Sequence, residues 1–228
     1  MKRPVHVLLV GAAGRMGRTV VDLVKNDPKI QIVAQCDLGE PIEPAMKNCD
    51  VAIDFSHADA ITEICRTALH HHKSLVIGTT GHSQEQRRLI EEAALSLAIV
   101  FAPNFSIGVN ALFWLTREAA ELLDSDFNPD IIETHHKMKK DAPSGTAKTL
   151  AKILKTARKI RSEVPIQSIR EGDVVGEHTV IFGGSGERVE LTHRAASREI
   201  FARGALRATH WIIGKPPGLY SMQDVLGL

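Results

Sequence analysis

A short apolar strand followed at once by a glycine-rich turn constrains the fold of this chain more than any other feature. The run Val5–Val10 is continuously apolar, which is typical of a strand buried on both faces of a parallel sheet. Gly11, Gly14 and Gly17 follow it in the spacing GxxGxxG. Glycine allows a tight turn, a close approach of the backbone to a pyrophosphate, and close packing of a helix on the strand. The pattern therefore predicts a nucleotide-binding strand, turn and helix.

An acidic residue after the second predicted strand supports the same interpretation. A predicted helix, Arg15–Asn26, leads to the strand Ile30–Cys36, and Asp37 follows that strand directly. Asp37 lies about 20 residues beyond Gly17, where a carboxylate binds the adenosine ribose of a dinucleotide. This context favours a dinucleotide site over the alternative, a glycine-rich turn in an α/β protein that binds no nucleotide.

The rest of the first hundred residues repeats the alternation of short apolar strands and helical segments. Strands are predicted at Val51–Phe55, Ser74–Gly78 and Ile99–Ala102, with helical stretches at 58–71 and 84–96 between them. The pattern thus predicts five parallel strands in all. Ligands bind at the carboxyl ends of such strands. The small polar or glycine-rich segments that follow three of the strands are 55–57, 78–81 and 102–106.

After Ser106 the pattern becomes that of an α+β domain. The predicted elements are a helix at Ile107–Leu123, a strand at Ile131–Lys137, a helix at Ala147–Ile160, a hairpin of Gly176–Phe182 with Arg188–Arg194, and a helix at Ser197–Ile213. The last dozen residues are expected to return to the first domain. The predicted fold class is α/β. It combines an N-terminal Rossmann-like doubly wound parallel sheet of residues 1–106 and 215–228 with an α+β domain of residues 107–214.

The segment Ile131–Ala147 concentrates reactive side chains just before a predicted helix. It contains two adjacent histidines and three lysines, followed by a Ser-Gly-Thr turn. Side chains alternate along a strand, so Glu133, His135 and Lys137 share one face while Thr134 and His136 share the other. The two histidines are therefore expected to have different roles.

The turn at Pro143–Thr146 predicts an anion site. A helix start presents backbone N–H groups and the positive end of the helix dipole, which together bind carboxylate or phosphate. With a histidine that protonates near neutral pH and lysines nearby, the segment favours a site that binds an acidic small molecule and gives it a proton. The alternative is a basic, solvated loop with an ordinary N-cap.

Composition favours a cytoplasmic enzyme acting on small molecules. The net charge is +1 with acids and bases interspersed, so nothing indicates binding to nucleic acid or to an anionic membrane. Cys36, Cys49 and Cys65 are odd in number and lack CxxC spacing, which favours reduced thiols in the cytoplasm and disfavours a structural zinc site. The N-terminal apolar run leads directly into the glycine turn, so we expect no signal peptide, and no stretch suits a membrane span.

Three consecutive histidines, His70–His72, resemble a metal cluster. They close a predicted helix, where cationic side chains complement the dipole, and the sequence places no acidic partner nearby. We therefore predict no metal site in this protein.

Several motifs together resemble the 4-hydroxy-tetrahydrodipicolinate reductase family, also called dihydrodipicolinate reductase. They are GAAGRMG, VIGTTG, NFSIGVN, ETHHKMKKDAPSGTA, GEHTV and the tail GLYSMQDVLGL. The resemblance runs almost end to end. It implies reduction of a cyclic dicarboxylate with NADH or NADPH on the route to diaminopimelate and lysine. It also implies a homotetramer whose second domain, residues 107–214, serves in substrate binding and oligomerisation.

The resemblance also implies roles for individual residues. His135 resembles the acid/base residue of the family and Lys139 its proton-donating lysine. His136, Ser144, Gly145 and Thr146 resemble the substrate-binding positions. The positions that match the cofactor contacts of the family are Gly11, Ala12, Ala13, Gly14, Arg15, Met16, Asp37, Gly78, Thr79, Thr80, Ala102, Pro103, Asn104 and Phe105.

Two departures from the family pattern affect these expectations. Some relatives carry an arginine directly after the acidic residue of the second strand, whereas this chain has Leu38, so an obvious partner for the NADP phosphate is missing. This departure predicts a preference for NADH, and use of both cofactors through Arg15 is the alternative. The link from Asp37 to Asp50 is also short, which predicts that a helix is missing there.

Two other functions remain as alternatives. A different dehydrogenase acting on an amino-acid-like acid would keep the first domain but has no need of the segment HHKMKKDAPSGTA. A non-enzymatic redox sensor would bind NAD(H) and signal through a partner, without an acid beside an anion site.

Overall fold

The computed structural model describes residues 3–228. Met1 and Lys2, which the sequence analysis assigned to the first domain, lie outside the described residues. The described chain divides into two units. The first runs up to Ser106 and includes Glu199–Leu228, and the second is Ile107–Arg198. Among residues 3–228, no helix combines the length and the apolar character that a membrane span requires.

The first unit is a parallel sheet covered by helices on both faces, as predicted. Its six strands lie in the order β10-β5-β4-β3-β1-β2, and every neighbouring pair is parallel. The strands are β1 Val5–Val10, β2 Ile30–Cys36, β3 Val51–Asp54, β4 Ser74–Ile77, β5 Ala98–Phe101 and β10 Gly218–Tyr220. The helices are α1 Arg15–Val24, α2 Ile42–Lys47, α3 Ile61–His71, α4 Gln84–Ala94, α7 Glu199–Ile212 and α8 Met222–Leu226, with a 3-10 turn at Ala58–Ala60.

The sheet has an apolar core on each face because β1 is apolar at every position. Val7 and Leu9 pack into one core, with residues of α1, α7 and α8. Leu8 and Val10 pack into the other, with residues of α2, α3 and α4. The strand order reverses between β1 and β3, and in such sheets this is the point where ligands bind, beyond the carboxyl ends of the strands.

Three details of the first unit differ from the prediction or extend it. The expected missing helix is wrong, because the short link after Asp37 still forms α2 before β3 begins. The final segment returns to the first unit, as expected, and adds β10 beside β5 as a sixth strand. The predicted helix at 58–71 begins as a 3-10 turn and becomes α-helical at Ile61.

The boundary at the end of the second unit also differs from the prediction. Residues 199–214 were assigned to the second domain, but α7 belongs to the first unit. Its small residues Ala202, Ala205 and Ala208 are buried in the same core as Val7. A Cβ on Gly204 would lie only 1.8 Å from the carbonyl oxygen of Phe105, so the helix backbone approaches the end of the sheet very closely. The helical pattern in the sequence identifies the buried face of α7 but does not tell which unit that face packs against.

The second unit is a mixed four-stranded sheet in the order β7-β6-β8-β9. β6 pairs parallel with β7 and antiparallel with β8, and β8 forms the predicted hairpin with β9. One apolar core contains residues of both helices and of the central strands β6 and β8. The elements are α5 Ile107–Leu122, β6 Asn128–His135, α6 Gly145–Arg158, β7 Ile166–Arg170, β8 Gly176–Gly183 and β9 Arg188–Ala195.

Strand β7 and the bounds of β6 were not predicted. β7 consists of IQSIR, which is too short and too mixed to give an alternating pattern. The predicted strand Ile131–Lys137 is shifted, since β6 begins at Asn128 and ends at His135. Lys137 therefore lies beyond the strand, in an exposed turn, instead of sharing a strand face with Glu133 and His135.

A single guanidinium closes the carboxyl end of α5. Arg158, the last residue of α6, donates from Nε to the carbonyl oxygen of Ala120 at 3.1 Å. Its Nη2 donates to the carbonyl oxygens of Leu123 and Asp124, at 2.7 and 3.0 Å, and its Nη1 donates to that of Phe127. The last carbonyls of a helix lack intrahelical donors, and this fork of N–H groups satisfies that of Ala120 together with three carbonyls of the loop that follows α5.

Arg158→Ala is expected to lower the free energy of unfolding of the second unit by about 2–3 kcal/mol, because hydrogen bonds to charged groups are among the stronger ones. The guanidinium also lies 5.5 Å from the ring centre of Phe182, and this contact is lost as well. Urea unfolding followed by circular dichroism measures the change. Arg161→Ala removes an exposed arginine three residues later and serves as the control. Equal losses in the two variants would contradict the capping role.

Candidate active site

The glycine turn after β1 has the backbone geometry that its sequence predicts. Gly11 has φ +82°, and a Cβ there would lie 2.5 Å from the carbonyl oxygen of Phe55. A Cβ on Gly17 would lie 2.2 Å from the carbonyl oxygen of Gly11. Neither position accepts a side chain, so the chain passes closely from β1 into α1. Gly14 is the N-cap of α1, and no side chain caps that helix start.

Asp37 connects the end of β2 to this turn. Both carboxylate oxygens lie 3.0 Å from the backbone nitrogen of Ala13, whose N–H they accept. The backbone N–H of Asp37 in turn donates to Oε2 of Glu40 at 2.8 Å. Leu38, the next residue, is fully exposed. The structure therefore brings the predicted ribose-binding carboxylate to the glycine turn.

A cavity of about 610 Å³ opens beside Asp37 and the glycine turn. Its wall includes the carboxylates of Asp37, Glu40, Asp59 and Glu63, and none of its lining residues is a lysine or arginine. The cavity lies at the carboxyl ends of β1 and β3, where the strand order reverses. A lining with four carboxylates disfavours a phosphate and suits the hydroxyl groups of a ribose.

A second cavity, of about 240 Å³, collects five of the predicted cofactor residues. Phe55 and Phe201 complete its wall, and a Cβ on Gly78 would lie 2.2 Å from the ring of Phe55. The ring of Phe55 also meets that of Phe105 edge to face, with centres 6.1 Å apart. The predicted residues that line this cavity are Met16, Gly78, Pro103, Asn104 and Phe105.

The remaining predicted cofactor positions line neither of these two cavities. Ala12 and Ala102 are buried in the apolar core, so only their backbones can serve a ligand. Thr79 is buried as well, while Arg15 and Thr80 are exposed. Taken together, the glycine turn, the uncapped start of α1, the carboxylate of Asp37 and the two cavities fit a dinucleotide.

In the second unit, the predicted acid/base residue forms a buried pair with Glu133. The two side chains lie on the same face of β6, as the alternation predicts, and Glu133 is completely buried. Nδ1 of His135 is hydrogen-bonded to Oε2 of Glu133. Burial lowers the pKa of His135, while the carboxylate of Glu133 opposes that shift.

Glu133 also accepts hydrogen bonds from Arg170, from the backbone of Ser144 and from the side chain of Ser168. Nη2 of Arg170 donates to Oε1 of Glu133 at 2.9 Å, and the backbone N–H of Ser144 reaches the same oxygen at 3.3 Å. Burial alone would raise the pKa of Glu133, but hydrogen bonds from Arg170 and its other neighbours keep that pKa below its ordinary value. Glu133 is therefore a buried carboxylate at neutral pH.

His178 lies next to His135 and stays neutral. The two rings meet edge to face with centres 5.1 Å apart. Nε2 of His178 lies 3.0 Å from Oγ of Ser144, and burial lowers the pKa of His178 to about 4. A neutral ring at this place adds no charge that would oppose protonation of His135.

The other predicted residues of this site surround the same strand end. Nζ of Lys139 donates to Oδ1 of Asp141 at 2.8 Å, and the charge of Lys139 contributes to the lowered pKa of His135. Ser144 caps α6, where its Oγ accepts the N–H of Ala147 at 3.2 Å. Gly145 and Thr146 form the first turn of α6, which begins two residues before the predicted start at Ala147, and His136 lies half-buried directly after β6.

The premise used against metal binding at His70–His72 is wrong. Nε2 of His71 lies 3.1 Å from Oε1 of Glu43, and Nε2 of His70 lies 3.8 Å from the same oxygen. The acidic partner comes from α2, about 30 positions earlier, so the sequence did not indicate it. These contacts tie α2 to the end of α3.

Sequence analysis missed four residues of the two sites. Arg170 and His178 face His135 only because β7 and β8 flank β6. Phe55 follows a strand end that was noted as a ligand-binding segment, but Phe201 comes from α7 and has no local signal. The motif GEHTV, which contains His178, was the one available pointer.

Family comparisons agree with the motifs. Residues 5–105 match the family described as dihydrodipicolinate reductase, N-terminus, and residues 108–226 match dihydrodipicolinate reductase, C-terminus. A 4-hydroxy-tetrahydrodipicolinate reductase of Akkermansia muciniphila is 47% identical over 242 aligned residues, which cover 98% of each chain. The enzyme of the same name from Syntrophotalea carbinolica is 39% identical and covers 98% of this chain and 99% of its own length.

A solved structure has the same fold. Dihydrodipicolinate reductase from Paenisporosarcina sp. TG-14, determined with dipicolinate bound, matches with a TM-score of 0.82 and 25% identity. The match covers 97% of this chain and 98% of that one. The two family matches and the full-length relatives lead to one conclusion. This chain belongs to the dihydrodipicolinate reductase family of oxidoreductases.

Proposed function

We propose that this protein reduces 4-hydroxy-tetrahydrodipicolinate to tetrahydrodipicolinate with NADH or NADPH, in the biosynthesis of diaminopimelate and lysine. The observation that carries the proposal is that the buried His135–Glu133 pair at the end of β6 lies directly beside the helix start at Ser144–Thr146. The two are joined by the hydrogen bond from the backbone N–H of Ser144 to Glu133. The proposed substrate class is supported by the dipicolinate bound to the Paenisporosarcina enzyme.

The first unit would bind the reduced nicotinamide dinucleotide, which supplies a hydride when bound. The uncapped start of α1 is suited to the pyrophosphate, and Asp37 to the adenosine ribose. The cavity lined by Met16, Gly78 and Phe105 offers an apolar wall for the rest of the cofactor. The acidic lining of the other cavity and the exposed Leu38 favour NADH over NADPH.

His135 and Lys139 are proposed to supply the proton. Hydride transfer to one carbon of the conjugated ring leaves negative charge, and a positioned acid that quenches this charge contributes about 10²–10⁴-fold to the rate. Nδ1 of His135 is occupied by Glu133, so Nε2 is the nitrogen available to the substrate. Lys139 adds positive charge near the same strand end, where a dicarboxylate must bind.

The substrate carboxylates are proposed to bind at the start of α6. Backbone N–H groups in the first turn of a helix lack intrahelical acceptors and bind carboxylates. A Cβ on Gly145 would meet no atom within 4 Å, so the space beside this turn is open. Ser144, Gly145, Thr146 and His136 are the proposed binding residues. The remaining proposals are a cytoplasmic location and a homotetramer built through the second unit.

The direct test is a coupled assay. Aspartate semialdehyde and pyruvate are supplied with a purified dihydrodipicolinate synthase, and oxidation of NADH and NADPH is followed separately by absorbance. We expect rapid oxidation that requires the synthase, and faster turnover with NADH. If NADH binds but is not oxidised, the protein is a different dehydrogenase or a redox sensor. Oxidation that does not require the synthase would also contradict the proposed substrate.

A further inference from the structure

The side chains around Glu133 allow only one arrangement of protons. Oε1 of Glu133 already accepts two hydrogen bonds, from Nη2 of Arg170 and from the backbone N–H of Ser144. Oε2 faces Nδ1 of His135. An ionised carboxylate only accepts hydrogen bonds, so Nδ1 of His135 must be the donor. The neutral imidazole of His135 therefore carries its proton on Nδ1 and leaves the lone pair on Nε2.

A glycine lies beside Nε2 of His135, where a side chain would crowd the ring. A Cβ on Gly176 would lie 3.0 Å from Nε2 of His135, closer than most real contacts. Gly176 begins β8. Two residues later on the same strand is His178, whose ring packs edge to face on that of His135. The ring of His135 is thus fixed at Nδ1 and along one edge, and the absence of a side chain on Gly176 leaves room beside its second nitrogen.

Arg170 joins this arrangement to the loop that carries Lys139. The same Nη2 that binds Glu133 donates to the carbonyl oxygen of Asp141 at 2.7 Å. The side chain of Asp141 accepts from Nζ of Lys139 at 2.8 Å. His135 and Lys139 are the two proposed proton donors. One guanidinium therefore connects Glu133, the partner of His135, with Asp141, the partner of Lys139.

We propose that Glu133, held by Arg170 and the Ser144 amide, is a positioning residue that fixes the tautomer of His135 so that Nε2 is the nitrogen that exchanges the proton with substrate. This inference rests on the proposed function for its catalytic meaning. The tautomer itself is a property of the second unit and is measurable without turnover.

Glu133→Gln is the decisive variant because its amide has one acceptor and one donor end. Arg170 and Ser144 both donate a hydrogen bond to the position of Oε1, so the amide oxygen of the glutamine must lie there. The amide NH₂ then faces Nδ1 of His135, which has to accept. We expect the neutral ring of His135 to switch its proton to Nε2. Protonation of Nδ1 would place two donors against each other.

Nitrogen NMR of uniformly labelled protein distinguishes the two neutral tautomers, with His135 assigned by comparison with His135→Gln. In the wild type we expect the proton on Nδ1, and in Glu133→Gln on Nε2. Turnover in the coupled assay should fall by about 10–100-fold, with KM for the substrate nearly unchanged. Since Glu133 raises the pKa of His135, the alkaline limb of the rate profile should move to lower pH in the variant.

Glu187→Gln is the matched control, because Glu187 is exposed in the turn between β8 and β9 of the same unit. It should change neither the tautomer nor the pH profile. An unchanged His135 tautomer in Glu133→Gln would overturn the inference, whatever happens to turnover. If that variant does not fold, the wild-type spectrum alone decides, since a proton on Nε2 in the neutral wild-type ring is incompatible with the inference.

The two proposals fail in different ways. A wild-type protein that oxidises neither cofactor in the coupled assay would refute the proposed function but leave the tautomer measurement intact. Full activity with the wrong tautomer would refute the positioning role and keep the reductase.

Discussion

His135→Ala is expected to lower turnover in the coupled assay by about 10²–10⁴-fold, the usual contribution of a positioned general acid. The dissociation constant for NADH should hardly change, because all the proposed cofactor residues belong to the first unit and His135 to the second. Stopped-flow measurement of NADH oxidation gives turnover, and NADH fluorescence titration gives the dissociation constant. This combination separates loss of chemistry from loss of binding.

Lys140→Ala is the control for this loss. Lys140 is an exposed lysine in the same loop, next to Lys139, and has no role in the proposed site. Its removal should leave turnover within about twofold, because exposed charges interact weakly through water. If His135→Ala weakens NADH binding as much as it slows turnover, His135 is not the catalytic acid.

Adding Glu133→Gln to His135→Ala should lower turnover little further. Glu133 acts on the reaction only through His135 in the proposed arrangement, and residues that act as a unit are not additive. A double variant that is much slower than His135→Ala would mean that the buried carboxylate has a separate role.

The first unit was predictable because its signals are local in sequence. A buried parallel strand is apolar at each position, and Gly11 and Gly17 stand where a Cβ would collide with backbone. Asp37 could be placed at the glycine turn since the carboxyl ends of parallel strands meet at one edge of the sheet. The fold class of this unit is confirmed, including the return of the final segment to the sheet.

Partners that come from distant segments were not predictable. Arg170 reaches Glu133 because β7 pairs with β6 in parallel, and β7 itself had no recognisable pattern. Helix α7 has an amphipathic sequence, but small residues such as Ala205 pack equally well against a sheet of either unit. Sequence periodicity gives the buried face of an element and leaves open what covers it.

The acidic cavity beside Asp37 leads to a prediction about cofactor choice. NADPH differs from NADH by a phosphate on the adenosine ribose, and an arginine near the acidic residue accommodates that phosphate in NADP enzymes. Here Leu38 occupies the next position and Glu40 and Glu63 line the same cavity. A phosphate placed there would face carboxylates and find no lysine or arginine among the lining residues.

Leu38→Arg is therefore expected to raise kcat/KM for NADPH by about 10–100-fold, since hydrogen bonds to charged groups contribute about 1.5–3 kcal/mol. The value for NADH should change little, because Leu38 is fully exposed and Asp37 stays in place. Leu95→Arg, at another exposed leucine of the first unit, controls for the added charge and should leave the ratio of the two cofactors unchanged. Equal ratios in Leu38→Arg and in the wild type would mean that the acidic cavity does not hold the adenosine ribose. A wild type that already prefers NADPH would instead refute the NADH preference and point to Arg15 as the partner of the phosphate.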